Sequence, residues 1–89
     1  MSKRRNTNVV TSQILKICRE GASKTKVIYR ANLNSVIGNR YLDNLTRNGF
    51  VEAITDGSRT IYKTTSKGLD LQEKLGQFQV VMDHLYSDA

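Results

Sequence analysis

The chain has 89 residues, a formal charge of +6 and one cysteine. That length allows one modest core, and one cysteine excludes an intramolecular disulfide framework. No apolar run resembles a signal peptide or a membrane span, so a cytoplasmic location is expected.

In chain order, residues 1–8 are polar and carry Lys3, Arg4 and Arg5, a short basic arm with nothing to pack against. From Val9 to Glu20 the apolar residues Val10, Ile14, Ile17 and Cys18 recur at helical spacing, and Gly21 offers the C-terminal cap of a first helix. On that stripe Cys18 is expected to be a buried small hydrophobe and not a reactive thiol. Ser23 or Thr25 caps a short second helix that buries Val27, Ile28 and Ala31. Asn32-Leu33-Asn34 then turns the chain tightly, with Leu33 plugging the space between two helices.

Asn34 or Ser35 caps a third helix, whose inward stripe is Ile37, Tyr41, Leu42 and Leu45 and whose end is Gly49. Its outward face shows Ser35, Asn39, Arg40, Asp43 and Arg47. Phe50 to Ile54 and Thr60 to Thr64 alternate on either side of a tip at Asp56-Gly57-Ser58-Arg59, the signal for a β-hairpin. Thr65 or Ser66 opens a last helix that runs to about Tyr86 with no proline to stop it.

A short helix, a tight turn, a second helix and a hairpin are the plan of a helix-turn-helix followed by a wing. The expected fold class is therefore mainly α with a small β-hairpin (α+β), a winged helix-turn-helix plus a long C-terminal dimerisation helix. Residues 1–8 form a mobile basic arm, 9–64 the winged domain and 65–89 the C-terminal helix.

Charge is unevenly spread. Residues 1–30 hold eight Lys or Arg against Glu20 alone, residues 31–60 balance three against three, and residues 61–89 hold three against four. Clustered cations suit a phosphate backbone, whose counterions they release, so double-stranded DNA is the expected partner and the nucleoid the expected place. Lys24 and Lys26 open the second helix, where the macrodipole disfavours cations by a few tenths of a kcal/mol. A phosphate bound there reverses that sign, and the alternative is a solvated pair of lysines. On the third helix Arg40 has the fork that suits guanine and Asn39 the amide that suits adenine, with Ser35 and Arg47 beside them. Asp43 on the same face is repelled by DNA unless it pairs with Arg40 or Arg47 or accepts from cytosine. At the hairpin tip Arg59, with Ser58 and the neighbouring Lys63, is placed for a minor-groove or phosphate contact. Tyr41 and Tyr62 fall on expected core faces and read as packing residues.

In the last helix Leu71, Leu75, Phe78, Met82 and Leu85 step by four, three, four and three, a heptad seam broadened by Leu69 and Val81. A helix of roughly twenty residues spans about 30 Å, longer than a small domain covers with its own core. The projecting half therefore calls for a second copy, and a homodimer is expected through these seam residues.

The residues so assembled resemble the small archaeal winged-helix DNA-binding proteins of about ten kilodaltons, chromatin-associated or predicted transcriptional regulators. The resemblance rests on Lys24 to Leu33, on Arg40-Tyr41-Leu42 with Leu45, and on Thr64 to Gly68. It implies a winged helix, double-stranded DNA binding in transcription control or genome packaging, and dimerisation through a C-terminal antiparallel coiled coil. The chain departs from that pattern in a last helix that ends near Tyr86 and in Gly76 beside the seam. An enzyme is not expected. One Cys and the lone His84 make no zinc set, and no phosphate loop or nucleophile-base pair is present, so neither cofactor, metal nor small-molecule substrate is expected. The alternative function is a winged helix that serves as a protein-interaction module in a transcription or replication assembly, with RNA binding third.

Overall fold

The computed structural model describes residues 6–87, so Lys3, Arg4 and Arg5 lie outside the described residues. Helix α1 spans Thr7–Ile17 and continues as a 3-10 turn over Cys18–Glu20. It starts two residues before Val9 because the Asn6 side chain accepts the Val9 N–H at 2.8 Å, which caps the first turn. Its stripe Val10, Ile14, Leu15 and Cys18 is buried, and Gly21 ends it at φ +93°. Leu15, absent from the expected stripe, is wholly enclosed.

Helix α2 spans Lys24–Arg30 and α3 Ser35–Arg47. Strand β1, Val51–Asp56, pairs antiparallel with β2, Arg59–Thr64, so the wing is a two-residue hairpin in which Gly57 takes φ +64°. The wing is tied back to the domain by paired backbone bonds, Ala22 N–H to Tyr62 O at 3.0 Å and Tyr62 N–H to Ala22 O at 2.8 Å. Helix α4, Ser66–Tyr86, completes the chain and packs on α1. The core gathers Ile14, Leu15, Val27, Leu42 and Val51 from four elements, each at most 1% exposed. Burying side chains of this size stabilises the fold by about 1.5–3 kcal/mol apiece.

The end of α3 and the start of α4 are joined by polar contacts close in space. Thr65 donates its hydroxyl to Gly49 O at 2.7 Å and accepts the Gly68 N–H at 3.1 Å, so one side chain caps α4 and holds the chain leaving α3. Lys67 reaches Asn48 O at 2.8 Å, where a cation favours the C-terminal end of α3, and its ammonium lies 4.6 Å from the Phe50 ring centre. On the other side, the buried Thr64 hydroxyl donates to Leu15 O at 2.6 Å. These contacts set the direction in which α4 leaves the domain.

Helix α4 has 21 residues and runs unbroken through Gly76. Leu71, counted in the expected seam, packs against the domain's own core, because the first turns of α4 lie on α1. Beyond it Leu75 and Met82 are half-buried, while Phe78, Val81 and Leu85 are more than half exposed. The exposed part of the expected seam is thus its second half.

Candidate nucleic-acid interface

The α2–turn–α3 unit is built from local chemistry. Ser23, not Thr25, caps α2 by accepting the Lys26 N–H at 3.2 Å. Val27 and Ala31 face the core, and Asn32 takes the left-handed conformation at φ +57°, one of the residue types that tolerate it. The turn closes with Leu33 N–H on Ile28 O at 3.0 Å, and Leu33 packs against the core as expected. Asn34, not Ser35, caps α3 by accepting the Ile37 N–H at 2.9 Å. Gly38 lets the two helices approach, since a β-carbon there would stand 2.5 Å from Ile28 Cγ1. A larger residue at this position would lever α3 away from α2.

The two helices carry five exposed cations. Lys24, Lys26 and Arg30 of α2 and Arg40 and Arg47 of α3 are all exposed, with Asp43 as the sole carboxylate on either helix. The Lys26 amide is engaged by Ser23, so it is not among the groups that the first turn of α2 offers an anion. Ser35 is exposed in the first turn of α3. Asn39 sits at the edge of the outward face, half-buried, with Oδ1 enclosed and unpartnered. That placement suits a base contact less well than the exposed Arg40 does.

The wing is electrically more balanced than its sequence suggests. Register sets Arg59 opposite Asp56 and Lys63 opposite Glu52, so each cation of the hairpin faces a carboxylate across the ladder. Ser58 and Arg59 remain exposed at the tip. A wing of this kind positions one arginine; it does not supply a basic patch.

Two large apolar side chains, one on each of α2 and α3, are exposed without having been expected from the sequence. Tyr29 on α2 is 83% exposed and lines an open cleft of about 340 Å³ with Thr25, Ile28, Asn32, Leu33 and Ser35, between α2 and the start of α3. Val36 stands in the first turn of α3 at 66% exposure. Helical phase is the signal that could have found both: Tyr29 lies off the Val27–Ala31 stripe, and Val36 is one turn before Arg40.

Cys18 is fully enclosed and its thiol is pushed up to about 11 by burial, which leaves it without thiolate character at neutral pH. Among the described residues, no cluster of His, Cys, Asp and Glu is arranged to hold a metal ion, and no helix is long and apolar enough to cross a membrane.

The model of the winged helix-turn-helix family matches residues 3–83. Among solved structures, the chain is similar to Sso10a-2, a DNA-binding protein from Sulfolobus solfataricus, at 35% identity over 94% of this chain and 88% of that one, with a TM-score of 0.87. It also shares its fold with the transcriptional regulator BldR of Sulfolobus solfataricus (21% identity, 91% of this chain and 62% of that one, TM-score 0.77). A third similarity is to the homodimeric winged helix-turn-helix DNA-binding domain of Mb0332 from Mycobacterium bovis (19% identity, 93% and 91%, TM-score 0.61). No curated protein shows a significant match.

Proposed function

The chain belongs to the winged helix-turn-helix family, and from that premise we propose that it binds double-stranded DNA as a transcriptional regulator or chromatin-associated protein. The observation that carries this is the exposed cation set of α2 and α3, opposed by Asp43 alone, on the helices that this fold sets against a duplex. Helix α3 enters the major groove with Arg40 and Arg47 toward base edges and phosphates. Lys24 and Lys26 neutralise the flanking backbone, and Arg59 reaches the next stretch from the wing. Lys3, Arg4 and Arg5 add to the charge that attracts the same polyanion.

The protein works as a homodimer through the open half of the α4 seam. Exposed Phe78, Val81 and Leu85 form a continuous apolar strip that soluble monomers rarely leave in water, and pairing two copies buries it. Two recognition helices then engage one duplex, and bivalence raises the modest affinity of each. That the 35%-identical Sso10a-2 is a DNA-binding protein supports the DNA-binding part of this reading. In this reading the site binds a duplex and has no catalytic role.

The test is anisotropy of a labelled random-sequence duplex at low salt, with unlabelled duplex DNA and double-stranded RNA as competitors. Binding that DNA displaces and RNA does not is expected. No binding at low salt would favour the protein-interaction module.

A further inference from the structure

The outward face of α3 carries one side chain that neither packing nor charge explains. Val36 is 66% exposed and shares a face with Arg40, Asp43 and Arg47. The core has no use for it, since the buried residues of this helix are Gly38, Leu42 and Leu45. Capping has none either, because Asn34 holds the Ile37 amide. Nor does a β-branched residue improve helix propensity.

Resting on the reading of α3 as the helix that enters the major groove, we propose that Val36 packs on the C5-methyl group of thymine and selects a T·A pair beside the base read by Arg40. First-turn residues of a recognition helix are the ones that come against base edges. Of the features exposed there, the thymine methyl is the apolar one, and an apolar side chain discriminates by covering it. Valine suits the task because its stiff χ1 presents two methyl groups in a fixed direction with little rotamer freedom to lose. Four residues separate Val36 from Arg40, about 6 Å along the helix. With base pairs about 3.4 Å apart, the thymine falls one to two pairs from the Arg40 contact.

The test compares affinities of the parent, Val36→Ala and Arg40→Ala for a mixed-sequence duplex containing all four bases and for the same duplex with uracil in place of every thymine. The two duplexes differ only in the methyl groups. The parent should bind the uracil duplex about three- to fivefold more weakly for each contacted methyl. Val36→Ala, which keeps one methyl of its own, should lose most of the thymine preference and bind the thymine duplex close to the parent's affinity for uracil. Because Val36 is exposed, its variant should melt with the parent by circular dichroism. A parent indifferent to the methyl group, or a Val36→Ala variant that keeps the full thymine preference, would overturn the proposal. Arg40→Ala separates the two levels of the claim: it should weaken binding to both duplexes. If it changes neither affinity, α3 does not lie on the DNA and the underlying reading fails as well.

Discussion

Gly68 lies directly against the carbonyl of Phe50, so close that a β-carbon at this position would overlap the oxygen and also stand 2.6 Å from Thr64 Cγ2. The first turn of α4 therefore rests on the backbone that leaves α3. Gly68→Ala must push these elements apart, and overpacking of this kind costs on the order of 1–3 kcal/mol or more. Urea denaturation should show a lowered midpoint, and a parental midpoint would mean that α4 seats on the domain elsewhere.

Cys18 gives a prediction in alkaline solution. Burial lifts its thiol from 9.0 to about 11, so the unfolded chain releases this proton first. Stability from this group is whole below the unfolded value of 9.0 and falls as pH rises through the window up to about 11. The shift corresponds to roughly 2–3 kcal/mol. Relative to Cys18→Ala, the parent should lose stability more steeply across that window; parallel profiles of the two would contradict the burial.

Assembly is tested at Phe78, half-exposed on α4 and outside the core cluster. An aspartate there puts an unpaired carboxylate into the seam, at a cost the dimer cannot offset. Phe78→Asp should be monomeric by sedimentation equilibrium at micromolar concentration, with its helical content retained, while the parent is dimeric. A parent that sediments as a monomer with α4 intact would end the dimer proposal.

What the sequence revealed and what it hid divide along the range of the interactions. Caps at Ser23, Asn34 and Thr65, the turn at Asn32 and the hairpin at Gly57 rest on chemistry within a few residues, and each is visible in order along the chain. The Ala22–Tyr62 pairing, the Thr64 bond to Leu15 and the Gly38–Ile28 approach join distant residues and leave no periodic trace. Leu71 illustrates the difference: its spacing fits a seam, but position along the helix decides that it meets the core. For the same reason the wing's cross-strand charge pairs required the register and not merely the hairpin. Most of the outward face of α3 was legible, whereas Val36 was not, because an apolar residue is read first as core.

The exposed cations of α2 and α3 should meet the DNA backbone, and the salt dependence of binding to a random-sequence duplex reports that contact, plotted as log affinity against log salt for the parent and for the double variant Lys24→Ala, Lys26→Ala. If both lysines contact phosphates, the variant binds more weakly on every sequence and its slope is shallower by roughly one unit per lysine. A slope identical to the parent's would take the opening turn of α2 out of the interface and refute the proposed backbone contact.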